Sequence, residues 1–123
     1  MTPMLRNDLY RLIALTGSEG TWQADIELCP GSAIYAAHFK GMPVTPGACL
    51  VQMACELASE AAGEKLEVRE ASDIRFLTPI LPDHTTRLSF RLERTNPGTP
   101  ATWLVQILDG ETLCARMKLT LTD

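Results

Sequence analysis

Apolar and polar residues alternate along most of this chain, and one stretch breaks the rhythm for long. Trp22, Ala24, Ile26 and Leu28 alternate with Thr21, Gln23, Asp25 and Glu27, the period-two signature of a strand buried on one face. Leu88, Phe90 and Leu92 alternate in the same way with Arg87, Ser89, Arg91 and Glu93, and Leu113, Ala115, Met117, Leu119 and Leu121 with Cys114, Arg116, Lys118 and Thr120. Residues 102–108 form a mostly apolar strand closed by the hairpin signal Asp109-Gly110, and Asn96-Pro97-Gly98 is a turn. Residues 72–81 also look like a strand, stopped by Pro82-Asp83, and residues 64–70 look like a charged link before it. Residues 5–15 fit both a helical stripe and a strand. The turn signal Gly17-Ser18-Glu19-Gly20 favours a short helical turn up to Asp8, then a strand from about Leu9 that pairs with the next as a hairpin. Pro30-Gly31-Ser32 ends that hairpin, and residues 34–39 are a short apolar approach to a turn rich in proline and glycine.

The break is residues 48–62. Ala48, Cys49, Leu50, Val51, Met53, Ala54, Cys55, Leu57 and Ala58 cover nearly every side of a helix, which predicts a buried one. Thr45 suits its N-cap and Pro46 its first position, while Gly63 is the stop, giving about 16 residues and roughly 24 Å. Its polar residues Gln52, Glu56, Ser59 and Glu60 fall on one narrow stripe. The order is two strands, one long helix and four strands. Burying such a helix with about six strands requires an α+β fold in which a curled antiparallel sheet wraps around it. Residues 1–123 are expected to form a single domain.

Composition narrows the class. Apolar residues make up 46% and charged residues 21%, as in an ordinary globular protein. The net charge of −4 offers no basic footprint, so no nucleic-acid partner is expected. No apolar run reaches about 18 residues, so no membrane span is expected. Arg6, Asp8 and Arg11 interrupt any signal-peptide pattern, and a cytoplasmic location is the expectation. Cys29, Cys49, Cys55 and Cys114, at spacings of 20, 6 and 59, match no zinc or redox motif and read as reduced, mostly buried thiols. Two histidines 46 positions apart suggest no metal site.

The segment leading into the helix is His38-Phe39-Lys40-Gly41-Met42-Pro43-Val44-Thr45-Pro46-Gly47. Nowhere else do a titratable group, a rigid turn and a helix N-terminus meet. A lone histidine is more often structural, and the surrounding motif moves the reading to function. Cys49, near the helix start, reads as a packing thiol ahead of a nucleophile paired with His38. His84 reads as an exposed loop residue, Trp22 and Trp103 as core or interface, and the strand arginines and lysines as a solvated face that could also meet an acidic carrier protein.

The pattern His-Phe-x-Gly-x-Pro-x-x-Pro-Gly before an apolar helix resembles the hot-dog-fold 3-hydroxyacyl-(acyl-carrier-protein) dehydratases, with five matched positions beyond the histidine. Ile74-Arg75-Phe76-Leu77-Thr78-Pro79-Ile80-Leu81-Pro82 is similar to the family's strand after the helix. The resemblance implies a hot-dog fold and dehydration of a 3-hydroxyacyl thioester to the trans-2-enoyl form in fatty-acid or polyketide-like synthesis. His38 would be the base, and the Gly47 N–H would hold the thioester oxygen. Phe39, Val44, Pro46 and Phe76 would line the acyl site. No cofactor is implied, since the phosphopantetheine arm arrives with the substrate. The partners implied are an acyl-carrier protein or acyl thioester, and a second hot-dog subunit in a homodimer or heterodimer. The physics suits these roles: a histidine near its unperturbed pKa is a fitting base, and a helix N-terminus meets a developing enolate with free N–H groups.

The chain departs from the pattern in three places. The family's acidic residue falls on Gln52, and the Gln it carries one turn later falls on Glu56. The two types are exchanged, so Gln52 would orient the hydroxyl and Glu56 is the candidate relocated acid. Lys40 stands where the family has Pro. The exchange leaves open a slowed dehydratase, one with a relocated acid, and an acyl binder that lends half a site to an active partner. Thioester hydrolysis, another hot-dog activity, is the remaining alternative, disfavoured by the His-Phe-x-Gly motif.

Overall fold

The computed structural model describes residues 4–37 and 44–123. In chain order the elements are β1 (Tyr10–Ser18), β2 (Thr21–Leu28), α1 (Ala33–Ala37), α2 (Gly47–Ala62), β3 (Glu67–Phe76), β4 (Arg87–Arg94), β5 (Ala101–Asp109) and β6 (Thr112–Thr122). Among the described residues these six strands form one antiparallel sheet in the order β1-β2-β4-β5-β6-β3. The alternating apolar residues of β2, β4, β5 and β6 turn to one face. There Ile26, Phe90, Trp103, Val105, Met117 and Leu119 join Leu50, Met53, Ala54, Leu57 and Ala58 of α2 in a single core. The pairing register sets Ala24, Phe90, Ile107, Ala115 and Phe76 side by side across five strands. Phe76 is therefore delivered to the helix side of the sheet by cross-strand geometry.

The C-terminus of α2 is as the sequence predicts. Gly63 takes the left-handed conformation (φ 71°), and its N–H reaches the carbonyls of Ser59 and Glu60. The N-terminus differs. Pro46 is the N-cap and no side chain caps the helix, because Thr45 has other partners. Its hydroxyl hydrogen-bonds the Tyr35 phenol at 2.9 Å, and its N–H donates to the Ile80 carbonyl at 2.9 Å. Nor is α2 buried all round, since Ala48 is exposed and Val51 and Gln52 are half-buried.

The strand after the helix also differs from expectation. β3 begins at Glu67, inside the presumed charged link, and ends at Phe76. Leu77 and Thr78 both donate to the Cys114 carbonyl, at 2.8 and 3.1 Å, and Pro79 has no N–H with which to extend the ladder. β3 is an edge strand with register shifts between Val68 and Glu70 and between Ser72 and Arg75. It leaves Val68, Phe76 and Leu77 exposed. At the other end of the chain, Asp8 and Leu9 donate to the Leu5 carbonyl in one helical turn before β1. No helix among the described residues is long and apolar enough to cross a membrane.

Candidate active site

His38 and Phe39 lie outside the described residues. The second half of the motif is described, and it delivers the chain to the start of α2. Val44, Pro46 and Gly47 are half-buried there. A Cβ added to Gly47 would stand 2.6 Å from Cζ of Phe76 and 2.9 Å from its Cε2. The Phe76 ring therefore rests on the bare α-carbon, and no larger residue fits without moving it. Cys49 and Leu50 donate to the Pro46 carbonyl at 3.0 and 3.1 Å. The N–H groups of Gly47 and Ala48 have no acceptor among the described residues, as expected of a helix first turn. Two of the residues singled out in the sequence, Gly47 and Phe76, thus come together around a pair of available donors.

The polar stripe is organised differently. Glu56 is buried, and its carboxylate accepts four hydrogen bonds. Oε2 takes the Leu5 N–H at 2.8 Å and the Gln52 side-chain amide at 2.9 Å. Oε1 takes the Arg6 N–H at 3.0 Å and the Tyr10 hydroxyl at 3.0 Å. A carboxylate has about four lone-pair sites, and here each has a donor. Burial, then the adjacent Glu56 charge, pushes the Tyr10 phenol pKa far upward, so Tyr10 stays a donor. Arg6 also pairs with Glu60 at 3.3 Å. The stripe thereby fastens the N-terminal segment to α2. Sequence reasoning misses Tyr10, Leu5 and Arg6 in this role, because partners some fifty positions apart leave no local signal.

Beside the stripe runs a groove of about 890 Å³, lined by Met4, Arg6, Gln52, Ser59, Lys65 and Val68 among others. Glu56 forms part of its wall, with all four acceptor sites taken by this chain's own donors. Gln52 is half-buried at the wall and turns its amide nitrogen to Glu56. Burial raises the Cys49 thiol pKa, which disfavours the thiolate a nucleophile would need. The Cys55 thiol is pushed up to about 11 by burial and by Glu56.

One six-stranded antiparallel sheet packed on one long helix is the hot-dog architecture. The sequence profile of the ApeI-like dehydratases matches residues 14–116. The chain belongs to that family. Among solved structures it is similar to the dehydratase heterocomplex ApeI:P from Xenorhabdus doucetiae, with a TM-score of 0.72, 14% identity, and coverage of 91% of this chain and 96% of that one. An uncharacterized protein from Erwinia carotovora subsp. atroseptica matches with a TM-score of 0.64 and 24% identity, over 90% of this chain and 91% of that one. A thioesterase from Pseudomonas aeruginosa matches with a TM-score of 0.63 and 14% identity, over 92% of this chain and 79% of that one. At such identities these likenesses carry the fold alone. No curated protein matches the chain.

Proposed function

We propose that this protein dehydrates a 3-hydroxyacyl thioester, carried on an acyl-carrier protein, to the trans-2-enoyl thioester in fatty-acid or polyketide-like synthesis. The observation that carries the reading is the start of α2, where Gly47 is kept bare under Phe76 and two N–H groups have no acceptor among the described residues. There a thioester carbonyl can take up charge beside aligned donors and the positive end of the helix dipole. His38 removes a proton from C2, and the enolate charge rests on the thioester oxygen. The C2–C3 double bond forms as the C3–O bond breaks, and the hydroxyl leaves as water with a proton returned by the imidazolium or by a partner's acid. Gln52 orients that hydroxyl. No cofactor takes part, because the phosphopantetheine arm belongs to the substrate.

The carboxylate of Glu56 supports a second reading, in which this chain lends half a site to another hot-dog subunit. Its four acceptor sites are filled by this chain's own donors, and Gln52 has no proton to give. The neighbour from Xenorhabdus doucetiae is a heterocomplex, and the same kind of pairing here would bring an acid from outside. The exposed edge of β3, with Val68, Phe76 and Leu77 uncovered, suits such a contact.

The test is incubation of the pure protein with a 3-hydroxyacyl thioester while enoyl absorbance and free thiol are followed. The expected result is enoyl product that falls by about 10²–10⁴ in His38→Ala. Free thiol without enoyl product would replace dehydration with hydrolysis. Gln52→Glu restores the acid at the family position and is expected to raise the rate about tenfold. A wild-type rate that appears only when a second hot-dog subunit is added would establish the half-site reading.

A further inference from the structure

The exchange of Gln and Glu along the stripe has a geometric outcome. An amide's nitrogen and oxygen are told apart by their partners. The Gln52 amide faces a carboxylate that already accepts from Leu5, Arg6 and Tyr10. A carboxylate has nothing to donate, so the atom of Gln52 lying 2.9 Å from Oε2 is its nitrogen. That leaves the carbonyl oxygen of Gln52 without a partner among the described residues, and it is not a buried atom. Two neighbouring polar side chains of the wall, Ser59 and Glu60, are engaged. Ser59 donates to the Cys55 carbonyl and accepts from the Leu66 N–H, and Glu60 pairs with Arg6.

We infer that Glu56 is a positioning residue for Gln52: its carboxylate holds the amide nitrogen inward, so that the Gln52 carbonyl oxygen is the neutral acceptor that receives a substrate hydroxyl. This rests on the reading that the site takes 3-hydroxyacyl chains. It goes beyond that reading in assigning a hydrogen-bond polarity and hence a preference. A 3-hydroxyl group donates to such an oxygen. A 3-oxo group brings only lone pairs, and a 3-deoxy chain brings nothing. The second N–H of Gln52 is the competing donor, and it would favour the 3-oxo group. The N-terminal segment completes the device, because the backbone N–H groups of Leu5 and Arg6 hold the carboxylate still.

Binding of acyl-pantetheine amide analogues, which neither hydrolyse nor dehydrate readily, tests this by calorimetry. Wild type is expected to bind the 3-hydroxy analogue about tenfold more tightly than the 3-deoxy one, the worth of one hydrogen bond, and the 3-oxo analogue no better than the 3-deoxy. Gln52→Met keeps the length of the side chain and should bring the ratio to about one. Glu56→Gln frees the Gln52 amide to turn, and should lose most of the preference for hydroxy over oxo. Tyr10→Phe removes a different donor from the same carboxylate. It should lower stability while leaving the ratio as in wild type. Equal losses of preference in Glu56→Gln and Tyr10→Phe would reduce Glu56 to a structural role and overturn the inference. So would tighter binding of the 3-oxo analogue, or equal binding of hydroxy and deoxy analogues. In each of those cases a positive enoyl assay would still stand, whereas failure to bind any analogue would remove both readings. Should Glu56→Gln not fold, Gln52→Met against Tyr10→Phe decides alone.

Discussion

The first and third turns of α2 follow opposite rules. At the first, the backbone donors of Gly47 and Ala48 have no acceptor among the described residues, and the side chain has been reduced to a hydrogen so that Phe76 can lie against it. Further along, Glu56 has a donor on every acceptor site and draws the N-terminal segment down onto the helix. Unsatisfied groups mark where a ligand can be received, and saturated ones mark where the fold is held. Gln52 stands between the two regions, with its nitrogen committed to the second and its oxygen without a partner among the described residues.

Glu56→Ala would erase this contrast most severely. Three donors from the N-terminal segment would lose their acceptor in a buried position, for a loss of roughly 3 kcal/mol. Urea unfolding measures it, and a loss below about 1 kcal/mol would mean that the segment is held by something else. Gly47→Ala acts on the other region. Its Cβ would sit 2.6 Å from the Phe76 ring, so the ring or the helix start must shift, and the dehydration rate should fall by about tenfold or more. Adding Phe76→Leu should recover part of that rate, and a Gly47→Ala enzyme with unchanged kinetics would remove the close approach from the mechanism.

The smallest effect belongs to the saturated side. The folded pKa of Cys55 lies at about 11, above the ordinary thiol value of about 8.5. Its contribution to stability is complete below the ordinary value and is lost as pH rises through the folded one. Tyr10, also raised, adds to the loss at still higher pH. Stability should therefore decline between about pH 8.5 and 11, and less steeply in Cys55→Ala. Matching slopes for the two proteins would clear Cys55 of the effect.

Much of the fold is legible in the chain, and the reason is one-sided burial. Where a strand covers the core with one face, as at Trp22 to Leu28 or Leu88 to Leu92, the alternation is written in the residues. Gly63 announces the helix end because only a left-handed residue closes it that way. Both ends of β3 escape the pattern, because the start of an edge strand, solvated on both faces, has no reason to alternate. Thr45 is a sound local cap whose hydroxyl a distant Tyr35 has already taken. The candidate site divides similarly. Gly47 can be read from its proline-rich approach, whereas the four partners of Glu56 are a product of folding. His38 lies outside the described residues, and its role as base is a proposal that rests on the motif.

The two tryptophans of the chain give the protein a convenient optical property. Trp22 and Trp103 stack at 5.4 Å between ring centroids with the Arg94 guanidinium 5.7 and 5.8 Å from them, and neither lines the groove. All indole emission therefore originates from one stacked pair beside a cation, on β2 and β5 with β4 between them. Its intensity and near-ultraviolet dichroism should register loss of the folded sheet sharply while staying nearly silent to what occupies the groove, so that unfolding and ligand titration can be read from the same sample by separate signals.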